Sequence, residues 1–122
     1  MEIKSYKDLI VWQKSIDLTI KVYKITNNFP KEEIYGLTSQ MRRSSVSIAS
    51  NIAEGRNRGT RKDFSQFLRI SLGSCSELQT QIEIAKRLNL IKNTDYQEVD
   101  SLTIEITKML NVIISKLSYN IE

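Results

Sequence analysis

Apolar side chains recur every three to four residues in four long stretches, the spacing that places them on one face of an α-helix. The pattern predicts a first helix from Ser5 to about Asn28 and a second from Leu37 to Glu54. Thr60 is predicted to cap a third helix, and a fourth is expected from Thr94 to about Ser118. No stretch alternates with a period of two, so no sheet is predicted.

Four helices of about 22 residues, each ~33 Å long, joined by short connectors must run antiparallel to their neighbours. The predicted fold is therefore all-α, an antiparallel up-down-up-down four-helix bundle. The length of 122 residues suits one domain, so residues 1–122 are assigned to a single bundle domain.

The first helix carries two apolar stripes, whereas a surface helix needs only one. The larger stripe is predicted to face the core: Tyr6, Leu9, Trp12, Ile16, Ile20 and Tyr23. The second stripe, with two residues that point away from the core face of the fourth helix, predicts an oligomer interface made of Val11, Leu18, Val22, Ile25, Ile104 and Val112. The alternative is that a loop of the same chain covers this surface.

Three residues of the second and third helices have predicted structural roles. Gly55 is expected to stop the second helix, and Gly73 to let two helices approach closely. Arg42 is expected to pair with a carboxylate within or between subunits.

Composition argues against an enzyme. The chain has no histidine, the commonest general base, and its one cysteine, Cys75, lies on the apolar face of the third helix. No acidic cluster, paired carboxylates or phosphate-binding glycine loop is evident. We therefore expect no catalytic site, no metal, no cofactor and no small-molecule substrate. The N-terminal residues do not resemble a secretion signal and no apolar stretch is long enough to span a membrane, so a cytoplasmic protein without membrane contact is expected.

The most pointed chemical feature is a cluster of cations between the second and third helices. Arg56, Arg58, Arg61 and Lys62 lie beside the predicted start of the third helix, where the helix dipole already favours anions. The cluster predicts a nucleic-acid-binding site for RNA or DNA phosphates, which Arg43 and Arg69 could extend. No aromatic residue is expected beside it, so binding should be directed to the backbone. The alternative is a solvated loop.

Several motifs in order resemble a known family. They include Asp8–Lys14 (DLIVWQK), Phe29–Glu33 (FPKEE), Tyr35–Gln40 (YGLTSQ), Ser50–Gly55 (SNIAEG) and Leu72–Ser74 (LGS). Together they resemble the bacterial four helix bundle protein family, also called 23S rRNA intervening-sequence proteins, over residues 6 to about 117. The resemblance implies a homopentameric ring, and a more distant similarity to accessory proteins of diversity-generating retroelements implies nucleic-acid binding. This chain departs from the family pattern at Ala49, where proline is usual, and at Arg56 and Asn57, where an aromatic residue and glycine are usual.

The resulting hypothesis is a non-enzymatic homo-oligomer, a pentamer by resemblance, that binds nucleic acid through its basic connector. The alternative hypothesis is a protein-interaction scaffold that binds no nucleic acid.

Overall fold

The chain forms four long helices, and the predicted all-α class is confirmed. The computed structural model describes residues 5–121, with the side chains of residues 5–118. The helices are α1 (Ile10–Thr26), α2 (Leu37–Asn57), α3 (Arg61–Arg87) and α4 (Asn93–Ile121). One 3-10 turn precedes α1 at Tyr6–Asp8 and another precedes α2 at Lys31–Glu33, and the described residues include no strand. Ser5 caps the first 3-10 turn, so the α-helix itself begins later than predicted.

Contacts between the helices establish the antiparallel order. Lys14 Nζ lies 2.9 Å from Glu105 Oε1, and Lys21 pairs with Glu98. A later residue of α1 therefore pairs with an earlier residue of α4, so the two helices are antiparallel. The same reversal relates α2 to α3, where Ser71 Oγ donates to the Ile48 carbonyl oxygen at 2.9 Å. α1 and α3 each pack against both α2 and α4, which closes the predicted up-down-up-down bundle.

The apolar repeat of α2, α3 and α4 faces the core. On α2, Leu37, Met41, Ile48 and Ile52 recur at helical spacing and are all buried. The fully buried large side chains of α3 and α4 include Leu68, Leu78, Ile82, Ile106 and Leu110. Burying one such aliphatic side chain stabilises the fold by about 1.5–3 kcal/mol, so this cluster is the main source of stability.

The buried face of α1 differs from the prediction, although Leu9 and Trp12 of the predicted core stripe do pack against the core. Val11, Leu18 and Val22 are no more than 1% exposed and belong to the core, so their assignment to an oligomer interface is wrong. Ile25 is half-buried and packs against the same core. Ile20 and Tyr23, predicted to be core, are 49% and 41% exposed.

The difference between the predicted and the observed buried face of α1 has a physical cause, which is that the buried face includes polar residues. Ser15 and Thr26 lie on that face, and each hydroxyl donates at 2.7 Å to the carbonyl oxygen four residues earlier, in Val11 and Val22. A hydroxyl satisfied by its own helix can be buried, because no hydrogen bond is lost. The buried face of α1 therefore includes polar residues, which a search for a purely apolar stripe does not find.

Gly55 does not end α2, which continues to Asn57. Gly55 is buried because α3 crosses there, and a Cβ on it would lie 2.6 Å from the Phe67 Cβ. The predicted connector is accordingly shorter, since Arg56 and Asn57 are helical and the turn needs Gly59, whose φ is +89°. The prediction for Gly73 is also wrong, because a Cβ there would meet no atom within 4 Å.

Both ends of α3 are held by local hydrogen bonds. The predicted cap is confirmed, since the Thr60 side chain accepts from the Asp63 amide at 3.1 Å. At the other end Asn89 adopts a left-handed φ of +60°. The amides of Asn89 and Leu90 then donate back to the carbonyls of Lys86 and Ala85, which satisfies two carbonyls of the last turn.

Arg42 binds neutral acceptors rather than the carboxylate expected from the sequence. Its Nε donates to Thr26 Oγ1 at 2.9 Å and its Nη2 to Asn27 Oδ1 at 3.0 Å. Its guanidinium carbon lies 4.6 Å from the centre of the Tyr23 ring. The side chain therefore joins the end of α1 to the start of α2.

Candidate nucleic-acid interface

The turn between α2 and α3 brings most of the predicted cations together. We call residues 54–63, with the neighbouring Phe64, the basic tip. Arg56 and Arg61 line one hollow of about 200 Å³, whose other walls are Gly59, Thr60 and Phe64. Lys62, the next residue of the first turn of α3, is exposed. Three of the four predicted connector cations therefore surround the start of α3.

Arg58 is held against the protein. Its guanidinium carbon lies 5.0 Å from the centre of the Phe67 ring, and its Nη2 lies 3.6 Å from Glu54 Oε1. Both members of this ion pair are about half exposed, so the pair contributes little to stability. The ring contact fixes the position of the charge, so Arg58 belongs to the basic tip but does not line the hollow.

The electrostatic balance of the tip is positive but moderate. Residues 54–63 contain four cations, already named, and the two carboxylates Glu54 and Asp63. The tip is thus about two charges positive. The N-terminal amides of α3 add partial positive charge at this place, and the C-terminal carbonyls of α2, which ends at Asn57, oppose it.

Phe64 supplies an aromatic ring that the sequence interpretation did not place at this site. It lies three residues after Arg61, so helical spacing puts the two side chains on one face of α3, and both line the hollow. The expectation that no aromatic residue lies beside the cations is wrong. Its spacing from Arg61 was the available signal, and Phe64 also packs against the core.

The two cations predicted to extend the site lie apart from it. Arg69 is exposed, two turns beyond Arg61 and about 12 Å further along α3. Arg43 precedes Arg56 by 13 residues on α2, a separation of about 20 Å. Arg69 can extend a path from the tip along α3, whereas Arg43 belongs to a different part of the surface.

Large apolar side chains are exposed on a separate surface, which does not include the buried residues Val11, Leu18 and Val22 of α1. Tyr23, Ile34 and Val46, all exposed by more than 40%, line a cleft of about 550 Å³ together with Arg42 and Arg43. We call this the α1–α2 cleft. Tyr35, next to Ile34 in the chain, is 96% exposed. Of the predicted interface residues, Ile104 and Val112 are exposed as expected, at 38% and 53%.

Cys75 and Glu83 have pKa values that are shifted by their surroundings. Burial raises the pKa of the Cys75 thiol to about 11, against a smaller opposing effect of the Thr107 hydroxyl, so the thiolate is scarce at neutral pH. Hydrogen bonds from Arg87 and then Tyr96 lower the pKa of the exposed Glu83. Among the described residues no group of three acidic, cysteine or histidine side chains could hold a metal ion, and no helix has the length and apolar character needed to cross a membrane.

Comparison with known proteins places the chain in a family. The model of the 23S rRNA-intervening sequence protein family matches residues 7–112. A solved structure from Bacteroides thetaiotaomicron VPI-5482, described as a protein with unknown function from the S23 ribosomal protein family, has 29% sequence identity and a TM-score of 0.78. The match covers 86% of this chain and 98% of that one. No curated protein matches the chain. The chain belongs to the 23S rRNA-intervening sequence protein family.

Proposed function

We propose that this protein is a non-enzymatic, cytoplasmic homo-oligomer that binds RNA or DNA phosphates at the basic tip. The observation that carries the proposal is the shared hollow of Arg56 and Arg61 at the start of α3, with Lys62 exposed beside it. One guanidinium group can donate two parallel hydrogen bonds to the oxygens of a phosphate, and the first-turn amides of α3 lie at the same end of the bundle.

The ring of Phe64 supports a preference for single strands. Base stacking on an aromatic side chain is available only to unpaired bases, and it contributes about 1–3 kcal/mol per base. Phe64 is half-buried and lines the hollow beside the two arginines, so a phosphate and its neighbouring base could bind together.

Self-association is supported by the α1–α2 cleft, where three large apolar side chains are exposed together. A second copy that covers Tyr23, Ile34 and Val46 would remove apolar area from water. Ile104 and Val112 remain candidates for the opposite side of such a contact. Five copies is the number that the family resemblance implies.

The binding proposal is tested by fluorescence anisotropy with labelled single-stranded RNA, single-stranded DNA and duplex DNA over a range of salt. The double variant R61E/K62E should lose binding, and the wild-type affinity should fall steeply with salt because bound counterions are released. The matched control is K24E/K92E, which makes the same charge change with exposed lysines at the opposite end of the bundle. F64L should weaken single-strand binding and leave duplex binding unchanged.

Equal affinity in R61E/K62E and K24E/K92E would contradict the site. Self-association is tested by light scattering on V46E, with S50E as the control on an exposed position one turn further along α2. A protein that stays oligomeric, copurifies with another polypeptide and carries no nucleic acid would instead favour the scaffold alternative.

A further inference from the structure

A second concave site lies between α2 and α3, away from the basic tip. It is a cleft of about 390 Å³, which we call the α2–α3 cleft, and all its lining side chains are polar. Those that matter here are Arg43, Ser47, Ser74, Glu77 and Gln81. Since Arg43 is about 20 Å from Arg56 along α2, the cleft is independent of the proposed nucleic-acid site.

Side chains of opposite charge line the two walls of this cleft without forming an ion pair with each other. Ser74 Oγ donates to Ser47 Oγ at 2.8 Å, which fixes the register of α2 against α3. Arg43 lies one turn before Ser47, and Glu77 one turn after Ser74, so the antiparallel pairing puts both at the same level. Neither takes part in any of the ion pairs formed among the described residues.

Gln81 provides an acceptor that the protein itself does not use. It lies four residues after Glu77 on α3, is only 8% exposed, and lines the cleft. Its Oε1 is buried, and no described residue donates a hydrogen bond to it. A buried carbonyl without a donor is unfavourable, and buried polar groups are almost always paired in folded proteins. The cleft is thus lined by a cation, an anion and a glutamine whose buried carbonyl oxygen is left unpaired by the described residues.

The walls between these groups are held in place before any ligand arrives. Ser47 Oγ accepts from Ser74 and also from Asn51 Nδ2 at 3.0 Å, so three polar side chains fix one another where the two helices meet. Rigid, pre-formed polar groups lose little entropy when a ligand binds.

We propose that the α2–α3 cleft binds a small zwitterion, a free α-amino acid. Its carboxylate would pair with the Arg43 guanidinium, which suits a planar two-oxygen partner. Its ammonium would pair with Glu77, and another N–H of the same ammonium would be donated to Gln81 Oε1 once the amide turns from its buried position towards the cleft. The volume lies near the lower end of the range for small-ligand pockets, and the absence of aliphatic or aromatic walls argues against a nucleobase or a lipid.

The test begins with the melting temperature of the full chain in the presence of each of the twenty amino acids at millimolar concentration. At least one should raise the melting temperature, and calorimetric titration of that amino acid should give saturable binding. R43Q and E77Q should each weaken binding about tenfold or more, because each removes a charge-assisted contact. K92Q and E32Q remove the same charges from exposed positions outside the cleft and should bind normally.

Blocked ligands assign each contact. The N-acetyl derivative lacks the ammonium, so its weaker binding should no longer respond to E77Q. The amide derivative lacks the carboxylate and should no longer respond to R43Q. Q81L should lose binding while the free protein melts at the same or a higher temperature, since an unpaired buried carbonyl has been removed. The proposal is overturned if none of the twenty amino acids binds, or if binding survives unchanged in both R43Q and E77Q.

Discussion

Gly55 of α2 lies directly against Phe67 of α3, so closely that a Cβ on the glycine would be 2.6 Å from the Phe67 Cβ. The Arg58 guanidinium in turn lies over the Phe67 ring. The close crossing of the two helices therefore also sets where one cation of the basic tip lies.

The first prediction compares two glycines within α-helices, the buried Gly55 and the exposed Gly73. G55A should lower the free energy of unfolding by about 1–3 kcal/mol, because the added methyl group overlaps a Cβ that only backbone movement can displace. G73A should raise it by about 0.5–1 kcal/mol, since alanine favours the helix and a Cβ there meets no atom within 4 Å. Urea unfolding followed by circular dichroism measures both. Similar effects at the two positions would contradict the assigned role of Gly55.

The second prediction concerns which face of α1 is buried in the core. L18A should cost about 2–5 kcal/mol, because it leaves a cavity in the core. I20A should change the stability by less than about 0.5 kcal/mol, since half of that side chain is already in water. Thermal melting of the two variants measures both effects. A larger loss of stability in I20A than in L18A would show that the face containing Ile20 is the buried one, as the sequence predicted.

The third prediction addresses Arg42 as a clamp between α1 and α2. R42K should lower the free energy of unfolding by about 1–2 kcal/mol, because an ammonium cannot reach Thr26 and Asn27 with the same fork while covering the Tyr23 ring. The neighbouring R43K is the control, with an effect below about 0.5 kcal/mol, since Arg43 is exposed. Equal losses in the two variants would show that the fork is unimportant.

The fourth prediction follows from the raised pKa of Cys75. Below pH 9 the thiol is protonated in both folded and unfolded chains, so its contribution to stability is fully present. As the pH rises towards the folded pKa of about 11, the unfolded thiol ionises first, and about 2–3 kcal/mol of stability should be lost.

The measurement is urea unfolding at several pH values in the wild type and in C75A, which should lack this part of the alkaline slope. A thiol reagent should also leave native Cys75 unmodified and react with it after unfolding, because the side chain is 1% exposed. Rapid modification of the native protein, or identical alkaline slopes in the two proteins, would count against the buried thiol.

The depressed pKa of Glu83 gives a fifth expectation, at acid pH. Its carboxylate accepts hydrogen bonds from Arg87 and Tyr96, so its stabilising effect is present above the unfolded pKa and is lost as the pH falls through the folded value. E83Q should therefore reduce the acid dependence of the melting temperature relative to the wild type. An unchanged dependence would indicate that these exposed contacts are not maintained in solution.

The predictability of each helix from the sequence depended on which residues form its buried face. On α2, Leu37, Met41, Ile48 and Ile52 are all apolar, so the buried face followed from helical spacing alone. On α1 the buried face includes Ser15, whose hydroxyl bonds to its own helix, and hydropathy therefore pointed to the wrong face. The number and order of the helices were still predicted correctly, because the connectors were recognised independently.

The candidate sites were predictable only where their residues are adjacent in the chain. Arg56, Arg61 and Lys62 come together through one short turn, and the sequence was sufficient to group them. The α2–α3 cleft combines Arg43 with Gln81, 38 residues apart, and depends on the register between two helices. For that reason the sequence predicted no small-molecule ligand.

The packing of α4 against both α1 and α3 has a consequence for synthesis on the ribosome. α4 follows the other three helices in the chain, so the core faces of Leu18 and Leu78 stay uncovered on one side until α4 has left the exit tunnel. A nascent chain of three helices would expose an apolar trough, the kind of surface that chaperones bind and that aggregates when crowded. Folding of this bundle is therefore expected to be completed only after α4 has emerged, and substitutions late in α4 should reduce soluble yield more than they reduce the melting temperature of the protein that has folded.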